Sequence, residues 1–114
     1  MRTCFLTPFP STNARKIVAV FHHAGGSSLS FLRLAKRLAP NLELRLAEIP
    51  GRGASAGQPL PPSLVDFAAA AATEIAGWEA RPIVLYGHSM GGLVAYEAVL
   101  RLPTDRKPEK LVVS

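Results

Sequence analysis

Short β-branched runs alternate with stretches of helical spacing along this chain, and that order leaves few folds open. KIVAVFH at 16–22 reads as a buried strand, and LELRLAEI at 42–49 as a strand nearer a sheet edge. IVLY, within 82–86, is a third apolar run, and KLVVS at 110–114 begins one more strand. Between them, FLRLAKRLAP puts Phe31, Leu34, Ala35 and Leu38 on one helical face, with Pro40 as the stop. Leu64, Phe67, Ala68, Ala71, Ile75 and Trp78 form a second stripe, entered through a predicted capping box of Ser63 and Asp66. Met90–Leu102 is apolar almost all round except at Glu97 and Arg101, which predicts a helix enclosed by protein. The connectors PGRGASAGQPLPP (50–62) and PTDRKPEK (103–110) carry breakers or charge and no periodicity. Strand, helix, strand, helix, strand implies a mostly parallel sheet with flanking helices. Such strands need cover on both sides, and the final LVVS has nothing after it. The expectation is therefore one incomplete, truncated α/β domain over residues 1–114.

Composition narrows the function classes. With 48% apolar and 18% charged residues among 114, the chain is globular in character. The lone cysteine, Cys4, excludes an internal disulfide and suits a reducing compartment. Thr7, Pro8 and Pro10 interrupt the start as a secretory signal, and the longest clean apolar run, Ile17 to Phe21, is too short to span a bilayer. A cytoplasmic protein with no membrane role is expected. The net charge of +5 is scattered over Arg15, Lys16, Arg33, Lys36, Arg37, Arg45 and beyond, which argues against a nucleic-acid footprint and leaves an acidic protein partner open.

The chemistry-bearing stretch is YGHSMGG at 86–92. Gly87-His88-Ser89-Met90-Gly91 lies between an apolar strand and an apolar helix, so Ser89 would sit on a tight strand-to-helix turn with its hydroxyl lifted clear of the sheet. Larger side chains at 87 and 91 would collide with neighbouring elements, hence the glycines. The new helix aims its free N–H groups and positive dipole end at the site. Alone, a G-x-S-x-G string arises by chance in a glycine-rich chain; its placement between strand and helix is what makes it specific. A second oxyanion donor is expected from the loop after an earlier strand, here FHHAGGS at 21–27, where Gly25 and Gly26 let the backbone approach a ligand. The main-chain N–H groups of Ala24 and Met90 are the candidate donors. Taken alone, the FHHAGGS loop reads equally as an ordinary glycine-rich turn.

These stretches, with IPGRG at 49–53, resemble the α/β-hydrolase superfamily, and within it the type II (editing) thioesterases of polyketide and nonribosomal peptide synthesis. YGHSMGG fixes only the superfamily, whereas HAGGS followed by PGRG is selective for the thioesterase branch. The resemblance runs from about Lys16 to Ser114. It implies a serine hydrolase that clears acyl groups from the phosphopantetheine arm of an acyl or peptidyl carrier protein, with no cofactor or metal of its own. The chain departs from the family pattern at His22, where proline is usual, and at Gly92, where alanine is common.

In that superfamily the acid and histidine follow the serine, yet His22, His23 and His88 all precede Ser89. Asp105 precedes the last strand, which puts it about a strand length, ~15 Å, from the turn. His88 is expected to pack beside the turn, and His22 or His23 to brace the oxyanion loop; His23 and His88 remain candidate auxiliaries. Three histidines with no cysteine or carboxylate spacing give no metal site. The reading is the N-terminal portion of an α/β-hydrolase fold whose triad acid and base lie beyond residue 114, near-inactive on its own. Arg52 is a candidate contact for carrier protein or pantetheine phosphate, and equally a solvated turn arginine. Trp78 and Tyr96 read as packing. Two rivals stand: a hydrolase of oxygen esters or small amides, and a non-catalytic chain that binds a carrier protein or itself through an unpaired strand edge.

Overall fold

A computed structural model describes residues 3–50 and 61–114. One five-stranded sheet runs in the order β1 (Phe5–Leu6), β3 (Leu42–Ala47), β2 (Lys16–Phe21), β4 (Ile83–Gly87), β5 (Lys110–Val113). β1 is antiparallel to β3, and every other pairing is parallel. Helices α1 (Leu32–Leu38), α2 (Pro62–Ala76) and α3 (Met90–Arg101) flank the sheet, with single 3₁₀ turns at Ser28–Phe31 and Thr104–Arg106. This is the mostly parallel α/β arrangement expected from the strand–helix alternation. β1 escaped the sequence because two residues cannot display a period.

Alternation along the strands divides the core. Ile17, Ala19 and Phe21 of β2 join Leu85 of β4 and the inner faces of α2 and α3, while Val20, Leu44 and Leu46 pack with Ala35 of α1 on the other side. Ala68, Ala71 and Ala72 of α2 meet Val94, Ala95 and Ala98 of α3 within the same cluster, and such small side chains permit close helix approach. Burying side chains such as Ile17 or Phe21 stabilises by about 1.5–3 kcal/mol each.

Three local expectations are corrected. α2 begins at Pro62 with Pro61 as its cap residue, so the Ser63–Asp66 capping box does not form; proline at the first helical position has its φ preset and no N–H to satisfy. Ala35 is buried but Leu34 is 41% exposed, because the seven-residue α1 touches the sheet along a narrow strip. α3 is not enclosed: Leu93, Tyr96 and Leu100 are exposed on its outer side, and Tyr96 does not pack. Val112 and Val113 of β5 are also exposed. Trp78, by contrast, is packing: its ring stands edge-on to Phe5 at 4.9 Å and lies beneath the Arg45 guanidinium at 4.5 Å.

The opposite end of the sheet from the YGHSMGG turn is held by charge. Glu43, on β3, is 3% exposed. It accepts from Ser11 N–H at 2.7 Å and pairs with Arg45 at 2.6 Å and Arg81 at 3.3 Å. Both arginines also bind Glu79, at 2.9 and 2.5 Å. Burial opposes ionisation of Glu43, but the Ser11 N–H and the two guanidiniums outweigh it and hold the carboxyl below its usual value. Hydrogen bonds from Arg81 and then Arg45 pull Glu79 down to about 2. Depressed carboxylate values mean stability that is whole above the unfolded value near 4.5 and lost as pH falls toward about 2. Glu79 is half exposed and contributes only about 1 kcal/mol after solvent screening. Glu43→Ala, which takes one of two carboxylate partners from each guanidinium, should cost about 2 kcal/mol in urea unfolding at pH 7 and flatten the acid limb of the stability profile.

Candidate active site

β4 ends at Gly87 and α3 begins at Met90, leaving His88 and Ser89 to turn the chain. Ser89 takes φ 57° and ψ −120°, the one non-glycine residue with positive φ among those described. Such a conformation is strained and persists only where the surroundings over-determine it. Here the main chain does so. His88 N–H donates to Phe21 O at 3.1 Å, Ser89 N–H to Ser114 O at 2.8 Å, and Ser114 N–H to Gly87 O at 3.1 Å. Gly91 N–H and Gly92 N–H close the turn onto His88 O and Ser89 O, each at 2.9 Å. A Cβ at Gly91 would lie 2.0 Å from Phe21 O, and one at Gly87 2.4 Å from Gly91 O, so neither position has room for a side chain. The Ser89 side is exposed.

The loop leaving β2 lies at the same end of the sheet, since Phe21 and Gly87 are register partners. His22 is buried, and its ring braces the loop: Nδ1 donates to His23 O at 2.9 Å, and Nε2 accepts Ile49 N–H at 3.0 Å. These bonds fix the neutral Nδ1–H tautomer. A turn follows, with Gly26 N–H on His23 O at 3.0 Å and Gly25 at φ 80°. Ser27 caps the 3₁₀ turn through Leu29 N–H at 3.2 Å, and the Glu48 carboxylate accepts Ser28 N–H at 3.2 Å. Among the described residues, the N–H groups of Ala24 and Met90 have no hydrogen-bond partner. Two main-chain donors without a partner among the described residues thus leave the sheet at the same end as the strained, exposed Ser89.

The remaining candidates fall as follows. The His23 and His88 rings meet edge-to-face at 5.7 Å, and His88 Nδ1 lies 2.9 Å from Ser114 Oγ. Asp105 sits in the second 3₁₀ turn beside Ile83, at the start of β4 and away from Ser89. A Cβ at Gly92 would come within 3.3 Å of Val113, so alanine there requires Val113 to give way. Arg52 and most of the IPGRG stretch lie outside the described residues. An apolar hollow of about 400 Å³ opens beside Ser89, lined by Leu93, Tyr96, Leu111 and Val113. Among the described residues no His, Cys, Asp or Glu cluster could hold a metal ion, and no helix is long and apolar enough to cross a membrane. Sequence reasoning assigned no site role to Tyr86, Glu48 or Ser114, because the Tyr86–Ser114 and Ser28–Glu48 contacts join segments that only the folded sheet brings together.

A family model described as "Thioesterase domain" matches residues 16–114. A probable cadicidin biosynthesis thioesterase of Streptomyces griseus is 35% identical over 94 residues, covering 82% of this chain and 26% of the relative. Thioesterase PikA5 of Streptomyces venezuelae is 33% identical over 109 residues, covering 92% of this chain and 38% of the relative. YbtT, a type II thioesterase from the yersiniabactin NRPS/PKS biosynthetic pathway, superposes with TM-score 0.75 at 26% identity, covering 97% of this chain and 47% of that structure. The chain thus spans less than half the length of these relatives.

Close approach and backbone conformation separate two kinds of glycine. Gly91→Ala should destabilise by about 3 kcal/mol, because it drives a methyl into Phe21 O. Gly25→Ala meets no atom within 4 Å and should cost about 1 kcal/mol, for φ alone. Urea denaturation of both variants checks the order.

Proposed function

The chain belongs to the thioesterase family, and from that premise we propose that it carries the nucleophile of a serine hydrolase acting on acyl thioesters borne by a carrier protein. The observation that carries this reading is the Ser89 turn: positive φ, an exposed side, and unpaired N–H groups at Met90 and Ala24. Ser89 Oγ attacks the thioester carbonyl as its proton passes to a base, and the developing oxyanion lies between the two N–H donors. The C–S bond then breaks, the thiol leaves protonated, and water hydrolyses the acyl-serine. No cofactor takes part; the acyl group arrives on the phosphopantetheine arm of an acyl or peptidyl carrier protein. The printed roles of the relatives, in cadicidin biosynthesis and in an NRPS/PKS pathway, favour such a carrier-bound substrate. The apolar hollow beside Ser89 suits the acyl chain.

The base is the weak point of this chain. Both nitrogens of His22 are engaged, and Nδ1 of His88 is taken by Ser114. Without a histidine delivered to Ser89 Oγ, turnover is on the order of 10⁶-fold below that of a complete serine triad, with the oxyanion donors and binding leaving a residual ~10³–10⁴-fold over water. A second reading, self-association through β5, is favoured by the exposure of Val112 and Val113 on an edge strand.

A fluorophosphonate probe should label the chain slowly at Ser89, and Ser89→Ala should abolish the labelling. Hydrolysis of a carrier-bound acyl thioester should exceed that of the matching oxygen ester. Complete silence toward the probe, with oligomers in light scattering, would instead favour the self-associating chain.

A further inference from the structure

Tyr86 and His88 flank Gly87 on β4, and the hydroxyl of Ser114 stands between them. Tyr86 Oη lies 2.8 Å from Ser114 Oγ, and His88 Nδ1 lies 2.9 Å from the same atom. The main chain of Ser114 meanwhile grips both sides of the turn, through Ser89 N–H at 2.8 Å and Gly87 O at 3.1 Å. One residue at the end of β5 therefore makes four hydrogen bonds around Ser89.

The polarity of the hydroxyl pair follows from chemistry. Ser114 has a single proton to give. A phenol is a stronger donor than an aliphatic hydroxyl, and an imidazole nitrogen is the stronger acceptor of the two ends. The proton order is thus Tyr86 O–H to Ser114 Oγ, and Ser114 O–H to His88 Nδ1. A lone pair at Nδ1 leaves the proton of the neutral ring on Nε2. The His23 ring, edge-on at 5.7 Å, limits rotation of His88.

We propose that Ser114 is a positioning residue: it relays the Tyr86 phenol to His88, holding that ring in the Nε2–H form as a neutral hydrogen-bond donor beside Ser89, while its main chain holds the Ser89 turn. The inference rests on the reading of Ser89 as nucleophile only for its kinetic consequence; the tautomer assignment stands apart from it. His22, in the opposite tautomer with Nδ1 protonated, provides an internal contrast.

The test is long-range proton–nitrogen correlation NMR on the chain labelled with ¹⁵N-histidine, at a pH where the rings are neutral, paired with fluorophosphonate labelling rates. In the unchanged chain, His88 should show an Nε2–H ring and His22 an Nδ1–H ring. Ser114→Ala should turn His88 into a mixture of tautomers and slow labelling severalfold, whereas Ser114→Thr, which keeps the hydroxyl, should restore both. Tyr86→Phe keeps the ring that packs on Phe31 and should loosen the tautomer preference without unfolding. A His88 ring that is Nδ1-protonated in the unchanged chain, or unaltered in both Ser114→Ala and Tyr86→Phe, overturns the proposal. If Ser89 takes no label in the unchanged chain but the tautomers shift as stated, the nucleophile reading fails and the relay survives.

Discussion

The carbonyl of Phe21 is the point on which the site turns. It ends β2, accepts the His88 N–H, and lies where a Cβ on Gly91 would have to go. One oxygen thus ties the strand that feeds the His22–Ser27 loop to the turn that presents Ser89. Because β2 and β4 are parallel and paired residue for residue up to Phe21 and Gly87, both loops leave the sheet at one level. Parallel pairing is what brings donors 66 positions apart in sequence, Ala24 and Met90, to the same end of the molecule.

The two ends of the sheet are stabilised by different physics. At the site end, backbone hydrogen bonds and absent side chains hold a conformation that is locally unfavourable. At the other end, Glu43, Arg45, Glu79 and Arg81 form a charge cluster capped by Trp78. Between them lies the apolar core against α2 and α3. Strain at Ser89 is tolerable because the rest of β4 is locked on both sides, by β2 and β5.

Much of this was legible in the sequence, for reasons that differ by element. KIVAVFH and IVLY announce buried strands through composition alone, and GHSMG between strand and helix carries its own steric demand. Where the sequence misled, an adjacent residue or a tertiary contact had overridden the local signal. Ser63 and Asp66 have the spacing of a capping box, but Pro62 starts the helix first. The apolar outer side of α3 reads as enclosed, yet nothing described covers Leu93 or Leu100. Glu43 alternates with leucines like any outward charge, and its burial depends on arginines at 45 and 81 that only folding brings to it. Tyr86 opens the YGHSMGG stretch and Ser114 carries no motif, and their meeting depends on the register of β4 against β5.

His22 has a consequence of its own. The ring is an aromatic strut spanning two strand exits, with one nitrogen giving a proton and the other receiving one. Such a strut sets the spacing of the β2 and β3 exits through a side chain as well as through the sheet, so the start of the loop that follows Phe21 is tied to a neighbouring strand's end before the chain turns.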